Sequence, residues 1–238
     1  MRTGASMSVF RFKHFEVEQS NVAMKVGTDG VLLGAWCSLD GAHRVLDLGT
    51  GTGVIALMVA ERCAAEQIVG VDIDDAATCC ASSNFARSPW SARLHARRQA
   101  AQTIEGETFD VIVSNPPYFV DSLLSPDARR TTARHTTEIT FAELATTSER
   151  LLAPEGRLAL ILPPEQMAQF ASETRLRMVR RCDVRSVPGG AVKRVMAEFV
   201  AGLQPCEPLF ETLTIETDVR GEFSAEYRAL TKEFYLKF

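Results

Sequence analysis

Residues 45–53 read Val-Leu-Asp-Leu-Gly-Thr-Gly-Thr-Gly and run directly into the apolar stretch Val54-Ile55-Ala56-Leu57. A short apolar run that ends in a glycine-rich turn and opens a helical pattern is the start of a β-α unit. The glycines let a ligand approach the backbone, and the helix amino end offers NH donors and positive potential to an anionic group. The chain keeps this rhythm. Strand-like residues 43–48, helix 54–63, strand 67–73, helix 75–87, strands 92–96 and 109–114, helix 141–152, strand 157–162 and helix 164–178 alternate, which specifies a parallel sheet covered by helices. Ahead of them lie a period-two stretch around Phe10, Phe12, Phe15 and Val17 and a helical pattern over 28–38, with Thr28 and Asp29 as its capping residues. After them, stretches 182–187 and 194–201 flank Pro188-Gly189-Gly190 and read as antiparallel neighbours. A strand over 213–217 and a helix over 224–236 follow. The expected fold is α/β: a mostly parallel seven-stranded sheet with an antiparallel late strand and helices on both faces. A chain of 238 residues, 46% hydrophobic, can bury one such core. We expect a single domain over 9–238, with 9–40 as an amino-terminal cover and 1–8 as a disordered leader.

The glycine spacing narrows the ligand. Gly49, Gly51 and Gly53 stand at Gly-x-Gly-x-Gly with Thr50 between the first two, not at the Gly-x-Gly-x-x-Gly of dinucleotide sites, and Asp47 sits just before the turn. A carboxylate there repels a pyrophosphate and attracts an ammonium. The ligand should therefore carry both an amine and a carboxylate, as the methionine part of S-adenosylmethionine does. At the next strand end, Asp72 in Val71-Asp72-Ile73-Asp74 can accept from two ribose hydroxyls, while Asp74 caps the following helix. Turn or cap chemistry would account for Asp47 or Asp72 singly, and a nicotinamide dinucleotide also contains a ribose; the glycine spacing and Asp47 weigh against that oxidoreductase reading.

Asn115-Pro116-Pro117-Tyr118 follows the apolar run 109–113 and so sits where a buried strand emerges. Asn115 offers a side-chain carbonyl, and the prolines have no NH, so the lining is rich in acceptors and poor in donors. Such a lining suits a planar NH2 group, for which Tyr118 supplies a stacking face. An amide, adenine, guanine or cytosine would each satisfy it. Residues 120–140, rich in Arg, Thr, Ser and Asp, read as a substrate-facing lid.

A net charge of -4 denies the chain the overall basicity of a protein that coats nucleic acid. A nucleic-acid partner must meet a local patch. The candidates are Arg93, Arg97 and Arg98; Arg129, Arg130 and Arg134; the arginines of 175–185; and Lys193 with Arg194. The six cysteines show no Cys-x-x-Cys spacing, so neither a zinc site nor a disulfide framework is indicated. No run is long and uncharged enough to span a bilayer, and reduced, cytoplasmic thiols are expected.

Taken together, the Asp47 to Gly53 turn, Asp72 and Asn-Pro-Pro-Tyr resemble the Rossmann-like class I S-adenosylmethionine-dependent methyltransferases that modify planar amino groups. The segment from Ala23 to Trp36, Ser88-Pro89-Trp90 and the ending around Tyr227, Leu230, Phe234 and Tyr235 are similar to the bacterial tRNA1(Val) adenine-N6 methyltransferase family. That resemblance implies methyl transfer from S-adenosylmethionine to the adenine 3′ of the anticodon in a valine tRNA, with S-adenosylhomocysteine as product and no metal. It implies catalytic roles for Asn115, Pro116, Pro117 and Tyr118. For the cofactor it implies Asp47, Gly49, Thr50, Gly51, Gly53, Asp72, Ile73, Gln99, Ala100 and Asn115, joined by Lys25, Thr28 and Asp29. Tyr118, Arg134, His135, Lys193 and Arg194 fall to the RNA. One position departs from the pattern: where many relatives carry an Asp for the cofactor's adenine amino group, this chain has Ala100, and Gln99 or backbone groups stand in. A release-factor glutamine, a ribosomal guanine or a DNA adenine would offer the same NH2, and a non-catalytic RNA-binding module on this fold is the alternative of another class.

Overall fold

A computed structural model describes residues 8–20, 22, 24–116, 139–202 and 207–237. The expected leader, except Ser8, and the lid residues 120–138 lie outside the described residues. Strands β1 (Val9–Arg11) and β2 (Glu16–Glu18) pair antiparallel as a hairpin of their own. Then come α1 (Thr28–Trp36), β3 (Arg44–Leu48), α2 (Val54–Arg62), β4 (Gln67–Asp72), α3 (Asp75–Arg87), β5 (Leu94–Arg98) and β6 (Phe109–Ser114). The second half holds α4 (Phe141–Leu151), β7 (Leu152–Leu162), α5 (Pro164–Glu173), β8 (Arg177–Arg185), β9 (Val192–Val200), β10 (Leu209–Thr214) and α6 (Ala225–Thr231).

Among the described residues these form one eight-stranded sheet in the order β10-β8-β9-β7-β6-β3-β4-β5. Only β9 runs against its neighbours, β7 and β8. The sheet has one strand more than the seven expected. The edge strand β10 lies four residues earlier than the sequence pattern suggested, because its outward Leu209 and Phe210 are 58% and 69% exposed and give no burial rhythm. Helix α5 also stops short of the expected residue 178. Glu149 on α4 accepts from Thr174 Oγ1 (2.9 Å) and from the Arg175 NH (2.6 Å), which draws the backbone out of the helix and into β8.

Two apolar layers cover the sheet, as expected. On one face α1, α2, α3, the hairpin and α6 pack around Leu33, Leu57, Met58 and Ile68; on the other α4 and α5 pack around Leu144, Phe170 and Phe199. Helices α1 and α2 touch so closely that a Cβ on Gly34 would lie 2.9 Å from Met58 Sδ. The Asn84 side chain ties the hairpin to the glycine turn. Its Nδ2 donates to the Glu18 carbonyl (3.0 Å) and the Thr52 carbonyl (2.8 Å), and its Oδ1 accepts from the Glu18 NH (2.9 Å).

The carboxyl end of α1 is fixed across the late strands. Buried Glu198 on β9 accepts from the Ser38 NH (2.6 Å), Ser38 Oγ (3.0 Å) and Arg157 (3.2 Å). Arg180 lies 4.1 Å over the Trp36 ring and pairs with Glu211, which also accepts from Trp36 Nε1 (2.8 Å). The amino end differs from expectation. Gly27 is the N-cap, with no side-chain bond, and Asp29 instead pairs with Arg194 at 2.8 Å, because β9 begins beside it.

Gly53 has φ +82, and a Cβ there would stand 2.4 Å from Phe85 Cε1. Both the left-handed backbone and the contact penalise a side chain. Gly53→Ala should therefore lower stability by about 2–4 kcal/mol in urea denaturation; a loss below about 1 kcal/mol would show that α3 gives way freely.

Candidate active site

The chain runs β3, β4, β5 toward one edge and then crosses back to place β6 on the other side of β3. At such a switch the strand ends leave a crevice, where open α/β sheets bind ligands. The glycine turn and Asn115 both border it.

The turn is held from below. The Gly49 and Thr50 NH groups donate to the Val71 carbonyl at 2.9 and 3.0 Å. Asp47, fully buried at the end of β3, accepts from Thr50 Oγ1 (2.7 Å) and the Ala56 NH (3.3 Å), both on Oδ2. Thr50 reaches it across Gly70, where a Cβ would lie 2.6 Å from Thr50 Oγ1. Thr50 is thus a strut, buried under the turn. Above, the turn is open: Gly49 (φ +72) and Gly51 (φ +55) adopt left-handed backbone, and a Cβ on either would meet nothing within 4 Å.

Asp47 Oδ1 is buried and finds no hydrogen-bond partner among the described residues. Burial pushes the carboxyl pKa up to about 7 against the bonds from Thr50 and Ala56, with the nearby Asp72 charge adding to the rise. Asp72 itself is half-buried at the end of β4. It accepts from the Gly51 NH (3.0 Å) and the Asp74 NH (3.0 Å), and the neighbouring Ile73 leaves an apolar side chain 45% exposed. Asp74 caps α3 through the Ala76 NH, as its position in the sequence indicated.

Beyond β5, Gln99 donates its NH to the Asp72 carbonyl (3.0 Å), while its side-chain NH2 turns to the Thr103 carbonyl (3.2 Å). Ala100 leads into the 3-10 turn Ala101–Thr103. On the other side of the turn, Asn115 follows β6 with its Oδ1 buried and without a hydrogen-bond partner among the described residues, and Pro116 is buried beside it. Pro117, Tyr118, Arg129, Arg130, Arg134 and His135 lie outside the described residues. Lys25 is exposed ahead of α1. Thr28 and Asp29 line a cleft of about 340 Å³ with Lys193 and Arg194, and the next residue, Gly30, lies against Val54 and Ile55, which follow the glycine turn.

Most of the basic stretches serve the fold. Arg93 donates to the carbonyls of Ala60, Cys63 and Ala65; Arg97 pairs with Glu107 and Arg98 with Asp75. Arg181 pairs with Asp183, and Arg185 reaches the Gly190 carbonyl. Gly70, Thr52 and Asn84 escaped the sequence reading as supports of the site. A glycine inside an apolar strand was the one available signal, since it marks close approach of another group.

Residues 30–184 match the methyltransferase small domain family. A tRNA1(Val) (adenine(37)-N6)-methyltransferase of Bacteroides thetaiotaomicron is 45% identical over 232 residues, covering 95% of this chain and 97% of that protein. The protein of the same name from Phocaeicola vulgatus is 46% identical over 231 residues, with 95% and 97% covered. The chain belongs to this tRNA1(Val) (adenine(37)-N6)-methyltransferase family. The family fold is also seen in a predicted O-methyltransferase of Agrobacterium tumefaciens, with TM-score 0.66 at 18% identity over 87% of this chain and 96% of that one. A Thermus thermophilus 16S rRNA N2 G1207 methyltransferase, solved with AdoMet and guanosine, gives TM-score 0.56 at 19% identity over 82% of this chain and 50% of its own.

In this methyltransferase the carboxyl of Asp47 sets a pH dependence. Its folded pKa near 7 stands above the unfolded value of roughly 3.9, so between the two the native state holds a proton that the unfolded chain has lost. Stability from this group is complete below about pH 4 and falls by up to about 1.4 kcal/mol per pH unit until about pH 7. Urea midpoints from pH 5 to 8 should fall more steeply for wild type than for Asp47→Asn, and parallel curves would refute the assignment.

Proposed function

We propose that this chain transfers the methyl group of S-adenosylmethionine to N6 of adenine 37, the base 3′ of the anticodon, in tRNA1(Val). The observation that carries the chemistry is the buried Oδ1 of Asn115 at the carboxyl end of β6, which has no partner among the described residues. Family membership supplies the acceptor, since the relatives of the same name run the length of the chain.

The residues at the crevice fit the donor molecule. Asp72 has lone pairs left for two ribose hydroxyls, and Ile73 offers the adenine an apolar face. Asp47 Oδ1 suits an ammonium, and the open side of Gly49 and Gly51 admits the chain of the amino acid. Gln99 meets the adenine amino group with its backbone carbonyl, its NH being bonded to the Asp72 carbonyl and its side-chain NH2 to Thr103. When bound, S-adenosylmethionine supplies an electrophilic methyl group and leaves as S-adenosylhomocysteine.

The residues of the chain provide the orientation. The adenine amino nitrogen is a poor nucleophile because its lone pair is shared with the ring. Asn115 Oδ1 and the Pro116 carbonyl each accept one amino hydrogen, which favours a pyramidal nitrogen and directs its lone pair out of the ring plane. Neither Pro116 nor Pro117 has an NH to compete. Tyr118 gives the flipped base a stacking surface, and Arg134 and His135 hold RNA phosphates. In this reading residues 9–238 are one domain, 9–40 its cover and 120–140 its lid, and the enzyme works on cytoplasmic tRNA.

The test is transfer from labelled S-adenosylmethionine to bulk tRNA that lacks the modification. Asn115→Ala should lose about a hundredfold or more in turnover, and equal incorporation by both proteins would remove Asn115 from the mechanism. An acceptor series of tRNA, ribosomal RNA, DNA and release factor checks the substrate, and a release factor methylated in preference to tRNA would overturn it. Asp72→Ala should weaken cofactor binding about tenfold or more by calorimetry, with tRNA affinity unchanged; an unaltered cofactor affinity would contradict the ribose role.

A further inference from the structure

The geometry points to the cleft between the amino end of α1 and the β8–β9 hairpin as the seat of an RNA nucleotide flanking the target adenine, with its phosphate on Lys193. This rests on the proposed function and adds to it where the RNA lies.

The placement follows from the order of the sheet. The carboxyl ends of β3, β4 and β5 carry the residues suited to the methyl donor, and Asn115 stands next to them at β6. On the far side of β6 come β7 and then β9, whose first residues lie at the same edge because β9 is antiparallel: Val195 pairs with Leu162, the last residue of β7. Ser114 at the end of β6 is level with Leu160 and Ala197, so with strands about 4.8 Å apart and about 3.3 Å per residue, Lys193 at the start of β9 is roughly 16 Å from it. RNA beside a flipped base spans that distance, and on the donor side the Asp72 carboxylate repels a phosphate.

The lining fits a nucleotide. Half-buried Ile215, above the core residue Val184, gives a base an apolar wall, and Thr28 and Ser186 bring hydroxyls to the rim. A volume of about 340 Å³ holds one such unit. Asp29 and Arg194 neutralise each other at 2.8 Å. Lys193 is exposed and has no carboxylate partner among the described residues, so it gives the cleft its excess positive charge. On the opposite side of the crevice Arg97 and Arg98 are engaged with Glu107 and Asp75.

The full chain is titrated with a tRNA1(Val) transcript lacking the modification, in the presence of S-adenosylhomocysteine, at several salt concentrations. Lys193→Glu should weaken binding about tenfold and reduce the slope of log affinity against log salt by about one, with S-adenosylmethionine affinity unchanged. Ser186→Trp, an exposed position whose new ring fills the cleft, should raise the KM for tRNA several-fold at unchanged cofactor affinity. A salt slope unaltered in Lys193→Glu overturns the proposal whatever Ser186→Trp does, and so does a loss of cofactor affinity in either variant. Wild-type protein that binds the cofactor yet methylates no tRNA would instead refute the proposed function.

Discussion

The buried carboxyl of Asp47 is the constraint on which the site is built. A carboxyl out of contact with water must find donors, and here one oxygen gathers the Thr50 hydroxyl and the Ala56 NH. Those two bonds join a strand end, the glycine turn and the first turn of α2 into one unit. Thr50 reaches Asp47 only because residue 70 has no side chain, and Gly53 lets α3 close over the turn through Phe85. The other oxygen has no partner among the described residues, and burial, which raises the carboxyl pKa, makes its charge costly. The ammonium of the proposed donor would relieve that cost.

Charge elsewhere is spent on architecture. An acidic chain cannot attract RNA over its whole surface, and its arginines are mostly committed to carbonyls and carboxylates within the fold. Arg180 is the clearest case: it stacks on Trp36, pairs with Glu211 and so holds α1 across the late strands. Loss of Arg180 would loosen α1 from the late strands, which is a different effect from removing a phosphate contact.

Much of this was legible in the sequence where local rules act alone. The β3 turn, the helix that starts at Asp75 behind its Asp74 cap and the strand 109–114 need only apolar runs, glycine and a capping side chain, and each lies where those signals put it. Signals that depend on distant partners did not read through. Thr28 and Asp29 look like a cap, yet Asp29 turns to Arg194, which is remote in sequence. Helix α5 ends early because Glu149 captures the following backbone, and β10 carries exposed apolar residues that hide its period. Clusters of arginine announce charge but not whether a carboxylate will meet it.

The site chemistry also limits what it can discriminate. In the proposed reaction Asn115 and Pro116 would accept two hydrogens of a planar nitrogen, and a glutamine amide or a guanine presents the same pair. Selectivity for one tRNA adenine must therefore come from binding away from the reacting atom, where contacts position the base without taking part in transfer. The residues proposed for the methyl donor lie at the β3–β5 edge and are interlocked through Gly51, Asp72 and Asp74. The β9–β10 edge, by contrast, belongs to strands that follow the catalytic tetrapeptide in the chain. If the proposed cleft holds RNA, changes there would alter its binding while the bonds from Gly51 and Asp74 to Asp72 stay in place.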